Sequence, residues 1–347
     1  MVYALVRGVV LCPAFHQTAN ALPVLRYQLK DGKTRMKITK PGLYTGVPMS
    51  AYHGNLCGAP SISSSGLRTI FLDSPKHYWR DSYLNPHRPE QKDSEAFVLG
   101  RAAHHLLLGE DAFSTLFIMR PERFDSWRTT AAKEWRDDQE AEGRTVLLPA
   151  QLEQIRGMAR SLASEPLISA GILNGQIEQS LVWQDKETGI WLKSRPDAIP
   201  NDSGDFCDLK TSASYGYDLD RDISKYRYDM QAALCGMGVR TVLKREMESF
   251  SFCFVEKEAP FSVEILTLKK EDIAAAEKDL RVAIDTFAWC LKTGDWFGPG
   301  GTQRDARPVH LSDWAKQQAE FKRDFLTREI TRAQIDGPTQ ADYLGAG

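Results

Sequence analysis

Between residues 179 and 211 the chain stops repeating every three to four residues and alternates every two, which narrows the possible folds more than any other feature. Three short β-rich runs, residues 179–183, 190–199 and 205–211, are separated by Asp185-Lys186-Glu187-Thr188-Gly189 and by Asn201-Asp202-Ser203-Gly204. Those separators are turn formers, so the stretch predicts a three-stranded antiparallel meander. Helical patterns precede it. Residues 61–67 offer hydroxyl N-caps to a helix running toward Phe71, and Pro75 can open a second. Residues 96–108 are rich in Ala and Leu and predict a buried helix. Leu152, Ile155, Met158, Ala159 and Leu162 form the stripe of an amphipathic one. After the meander come a helix from about 224 to 244 and a strand in which Phe250, Phe252 and Phe254 alternate with Ser251, Cys253 and Val255. A strand at 263–268, a long helix at 271–291 and a charged helical tail from about 311 to 333 follow. The order predicts an α/β or α+β fold with the sheet in the middle.

Composition removes some functions. A formal net charge of −2 excludes a globally basic nucleic-acid binder, so any DNA contact must come from a local groove. The six cysteines hold no C-x-x-C pair, which argues against a zinc or iron–sulfur site; they read as core thiols in a reducing cytoplasm. Arg7 interrupts the apolar start and no small-residue cleavage site follows. No segment reaches the ~20 apolar residues needed to span a bilayer, so a cytoplasmic protein away from membranes is expected.

The chemistry concentrates at Asp197, Asp208 and Lys210. Pairing across the turn at 201–204 would set the two carboxylates side by side, where they repel unless a cation lies between them. Oxygen ligands of this kind suit Mg²⁺, with Mn²⁺ a substitute. Lys210 falls two residues after Asp208, on the same strand face, where an ammonium can orient an attacking water and offset charge on a phosphoryl group. Phe206, Cys207 and Leu209 around Asp208 argue against a merely solvated hairpin. His104 and His105 sit on the apolar helix, where a lone histidine is more often a core residue bonded to a backbone group than a ligand. Lys76, His77, Tyr78, Trp79 and Arg80 either contact DNA or pack into the helical layer.

The segment 205–212, preceded by Thr188-Gly189-Ile190 and Arg195-Pro196-Asp197, resembles the nuclease domain of exodeoxyribonuclease VIII, the RecE-type recombination exonucleases. Further matches run in order: Gly42-Leu43-Tyr44 with Tyr52-His53, Ile62 to Leu67, Leu99 to His104, Glu178-Gln179-Ser180 and Ser312 to Lys316, so that the likeness spans about residues 41–321. The resemblance implies a PD-(D/E)XK fold, a central mixed sheet flanked by helices. It implies an Mg²⁺-dependent exonuclease that degrades linear double-stranded DNA 5′ to 3′ and leaves 3′ single strands for recombination. It further implies a single-strand annealing partner, a homo-oligomeric ring and a phage or prophage setting. Asp197 and Asp208 carry over as metal ligands, Lys210 as the catalytic lysine, and the Leu209 carbonyl and His104 as further ligands. His104 is preferred to His105 because it falls four residues after Gly100. Gln231 carries over as the DNA-contacting glutamine of a Q-x-x-x-Y motif, although Cys235 stands where the tyrosine belongs. Glu178 is either a carboxylate supporting the ligands or a solvated strand-end charge. The implied organisation is an N-terminal appendage at 1–40, a nuclease domain at 41–300 and a helical tail at 301–347. An endonuclease of the same fold, or a catalytically silent DNA-binding recombination protein, would share these residues; a different metal phosphoesterase acting on nucleotides is a weaker rival.

Overall fold

The computed structural model describes residues 24–27, 29–30, 34–35, 37–90, 94–108, 113–302, 306 and 308–336; most of the expected 1–40 appendage lies outside them. The chain divides into two compact units, one ending at Gly301 and one beginning at Thr302. The fold is mixed α/β.

Five strands form the first sheet: β1 (Val24–Arg26), β2 (Gly42–Thr45), β3 (Ser61–Ser63), β5 (Ser180–Gln184) and β6 (Trp191–Ser194), in the order β1-β2-β5-β6-β3. The short β4 (Gln176–Ile177) pairs with β7 (Ala198–Ile199). A third sheet holds β8 (Asp205–Ser212), β9 (Ser249–Glu256) and β10 (Val263–Thr267), with β8–β9 parallel and β9–β10 antiparallel. Helices in the first unit include α1 (Ser64–Leu72), α2 (Pro75–Asp81), α3 (Glu95–Leu107), α4 (Pro149–Ala163), α5 (Tyr217–Tyr226), α6 (Tyr228–Gly238) and α7 (Lys270–Thr293), while the second unit carries α8 (Asp313–Asp336).

The strand pattern of β8 and β9 divides the core. Phe206, Phe250, Phe252 and Phe254 join one cluster with Met230, Ala233 and Leu234 of α6 and Leu280, Ile284 and Phe287 of α7. Cys207, Leu209, Cys253 and Val255 point the other way, into a cluster with Leu99, Ala103 and Leu107 of α3 and Ile155 and Met158 of α4. Period two alone sends neighbouring residues into separate cores. Both faces are covered, so the strands read as nearly continuous apolar runs. Cys57, Cys207, Cys235, Cys253 and Cys290 are buried free thiols, as core residues should be; Cys12 lies outside the described residues.

The meander is corrected in part. β5 and β6 do form an antiparallel pair, Leu192 opposite Trp183. The third run does not join them, because β7 is only two residues long and spends its ladder on β4. β8 instead starts a new sheet beside β9, and that parallel pairing needs the crossover that α5 and α6 supply. The single helix expected at 224–244 breaks at Arg227, whose left-handed backbone is held by ion pairs to Asp229 at 2.8 Å and Asp279 at 2.6 Å.

Candidate active site

Asp208 lies in the middle of β8, only 2% exposed, opposite Phe252. Lys210 follows on the same face, and its Nζ contacts Asp208 Oδ2 directly. The other carboxylate oxygen accepts a hydrogen bond from Gln231 Nε2 on α6 at 2.8 Å. Asp208 is therefore gripped from both sides by donors of this chain.

Asp197 reaches the same place from the turn before β7. Its Oδ2 accepts the Leu209 N–H at 2.6 Å, which ties the two acidic segments together without any ladder between β7 and β8. Leu209, expected to act through its carbonyl, is held here by its N–H. Asp197 Oδ1 stands 3.5 Å from His104 Nδ1. α3 delivers that imidazole because Gly100 lets the helix lie close to β8: a Cβ there would sit 3.1 Å from Thr211 Oγ1. His105 turns elsewhere, with its ring 5.5 Å from Phe117.

Glu178 completes the group. Its backbone is left-handed, φ 54°, and its N–H donates to the Asp197 carbonyl at 3.0 Å. A non-glycine residue in that region carries strain of about 1–3 kcal/mol, which the surrounding contacts must offset. One ligand atom each from His104, Glu178 and Asp197 lie within 4.8 Å of one another. Arg195 stands beside them, 3.7 Å from Glu178 Oε2. It is fixed by Ser180 Oγ at 2.9 Å and the Val47 carbonyl at 2.7 Å, and its guanidinium lies 4.6 Å from the Tyr52 ring centroid.

The electrostatics follow from this crowding. Burial pushes the Asp208 carboxyl up, and the charge on Asp197 adds to it against Lys210. Burial acts likewise on Asp197, but His104, Lys210 and the Leu209 N–H outweigh it and hold that carboxyl below the usual range. Burial opposes charge on His104; Asp197 reverses the balance and raises the imidazole to about 9. Lys210 is likewise disfavoured by burial and then raised by the two carboxylates. Two buried carboxylates this close favour a cation between them, and the raised imidazole of His104 reflects the same demand. Two carboxylates and an imidazole are a fitting donor set for a divalent ion, which would take the histidine in its neutral form.

Sequence reasoning missed two neighbours. Arg195 was visible only as part of Arg-Pro-Asp, and Tyr228, whose ring centroid lies 5.4 Å from Lys210 Nζ, left no signal at all. Cys235, in place of the expected tyrosine, is buried. Of the basic and aromatic run on α2, Trp79 stacks on Trp296 at 4.8 Å and Tyr78 meets Phe287 edge-on at 5.5 Å, so both are packing residues.

Comparison with known proteins gives the fold a context. A family model described as a PDDEXK-like domain of unknown function (DUF3799) matches residues 63–302. Among solved structures, one from Eubacterium rectale bearing the name "Putative exonuclease" superimposes with a TM-score of 0.50 at 13% identity, over 76% of this chain and 92% of that one. No curated protein matches the sequence. Among the described residues no helix is long and apolar enough to cross a membrane.

Proposed function

From the premise that the chain belongs to the PDDEXK-like DUF3799 family, we propose that it is an Mg²⁺-dependent exodeoxyribonuclease acting on the ends of linear double-stranded DNA. The observation that carries this reading is the gathering of His104, Glu178 and Asp197 within 4.8 Å, linked through Leu209 to the Asp208–Lys210 pair. Digestion would run 5′ to 3′ and leave 3′ single strands for an annealing protein. The resemblance to RecE-type enzymes and the name of the E. rectale protein support exonuclease over endonuclease. A ring of several copies would enclose the DNA. Mn²⁺ would substitute.

Asp197, Asp208, Glu178 and His104 would hold the ion, which supplies positive charge to the oxygens of the scissile phosphate. Gln231 and Lys210 keep Asp208 in a single orientation through its two oxygens. The Lys210 ammonium, beside Asp208 on the same strand face, would orient the attacking water and stabilise phosphoryl charge. Phe252 and Tyr228 beside it limit the water that competes for its N–H groups.

Linear duplex labelled at the 5′ or 3′ end, and closed circular duplex, should be incubated with Mg²⁺ or with EDTA. Release from the 5′ label alone, absent in EDTA and reduced about 10²–10³-fold in Lys210→Met or Asp208→Asn, is expected. Nicking of the circle would replace this reading with an endonuclease, and no hydrolysis of any DNA would leave a silent DNA-binding protein.

A further inference from the structure

The ring of Tyr228 that lies near Lys210 also meets a second cation. The Arg68 guanidinium carbon on α1 is 5.6 Å from its centroid, and Lys210 Nζ is 5.4 Å from the same point. The two cations are unlike in one respect. Lys210 contacts Asp208, whereas among the described residues no carboxylate lies within ion-pairing distance of Arg68. Its Nη1 donates to the Tyr226 carbonyl at 2.8 Å, which leaves further guanidinium N–H groups for another acceptor. Tyr226 itself is 44% exposed, and its ring lies 5.8 Å from that of Tyr228 at an angle of 30°. A lysine, a half-buried arginine and two neighbouring rings thus form a shelf next to the acidic group.

Tyr228 also bears on the missing tyrosine. It precedes Gln231 by three residues and so shares a helix face with it, while Cys235 on the following turn is buried. A phenol therefore does stand beside the glutamine, on the preceding turn.

We propose that Arg68, with the exposed Tyr226 ring, grips the DNA strand next to the bond that is cut: the guanidinium takes a phosphate and Tyr226 takes an unstacked base, while Tyr228, packed on Phe252, backs them both. This rests on the nuclease reading. A planar guanidinium suits a phosphodiester, and aromatic faces accept any base, so the grip is independent of sequence. Asp208 and Asp229 act on Arg68 only from beyond ion-pairing distance, and a phosphate in direct contact is what would neutralise its charge more fully.

The alternative is that Arg68 only fastens α1 to the end of α5 through the Tyr226 carbonyl. Binding of a fluorescein-labelled duplex with a single-stranded end should be followed by anisotropy in EDTA over a salt series, for wild type, Arg68→Gln and Arg68→Lys. The expected result is affinity about tenfold weaker in Arg68→Gln, with the slope of log K against log salt shallower by about one. Arg68→Lys should recover the slope but only part of the affinity, with melting temperatures alike in all three. Unchanged affinity and slope in Arg68→Gln, while wild type still cuts linear duplex in Mg²⁺, would overturn the grip and leave the nuclease intact. Equal losses in both variants with lowered melting temperatures would assign Arg68 to structure alone. A wild type that neither binds nor cuts DNA would overturn both readings.

Discussion

Lys193 shows how a single residue sets a measurable property of the whole chain. Only 2% exposed, its ammonium donates to Ser61 Oγ at 3.2 Å and the Gly54 carbonyl at 3.4 Å, and lies 5.4 and 5.6 Å from the rings of Tyr52 and Tyr83. Burial depresses it to about 8, with the Cys57 thiol opposing and Arg195 adding to the depression. The unfolded chain keeps this proton to about pH 10.5, so between roughly pH 8 and 10.5 the unfolded state binds more protons and stability rises with pH. Full neutralisation is worth about 3 kcal/mol. Lys193→Met should remove that rise and stabilise the protein at pH 7 by about 1–3 kcal/mol, read from urea melts at pH 7 and 9.5. Identical pH dependence in both proteins would refute the assignment. Nothing in the sequence marked this lysine, because its burial is decided by a paired strand and by segments more than a hundred residues away along the chain. Asp197, Asp208 and Lys210 were legible for the opposite reason: they lie within fourteen residues of one another, and a short span with strand period carries its own geometry. Glu178 could be weighed only evenly, since its left-handed backbone is what brings it toward His104.

At the scale of elements, periodic runs gave away the helices and most strands. Residues 96–108 became α3, 271–291 became α7, and the phenylalanine alternation became β9. Pairing was less visible, because a two-residue strand and a parallel crossover both depend on contacts far apart in sequence. The close approach of α6 to the first sheet is one such contact. A Cβ at Gly238 would sit 2.8 Å from Trp183 Cζ3 and 3.3 Å from Leu181 Cδ1, both buried on β5. Since α6 also carries Gln231, forcing the helix outward would loosen the grip on Asp208. Gly238→Ala is expected to cost about 1–3 kcal/mol in urea unfolding and to lower the cleavage rate. Gly300→Ala, with nothing within 4 Å of its added Cβ, should be neutral within about 0.5 kcal/mol. Equal stability of the two variants would show that α6 can shift at little expense.

At the scale of the molecule, the candidate site lies wholly in the unit that ends at Gly301, and the family match ends at residue 302. That unit has its own apolar clusters on both faces of the β8–β10 sheet, which is what independent folding requires. The second unit is different in kind. α8 leaves Trp314, Phe321, Ile330 and Ile335 between 58 and 76% exposed, and a helix with this much uncovered apolar surface has no interior of its own. Large exposed aromatics on one helix are a source of association, and a ring of copies is part of the proposed function. A chain ending at Gly301 is therefore expected to unfold at the same urea midpoint as the first unit of the full protein and to keep Mg²⁺-dependent hydrolysis. Its particle mass by sedimentation should fall below that of the full chain, with the difference growing as protein concentration rises. Replacing Trp314 and Phe321 together by Ser should lower the number of associated copies in the same way without truncation. If the full chain assembles and both altered proteins keep that state, contacts outside α8 hold the copies together, and a full chain that sediments as a monomer would overturn the ring itself.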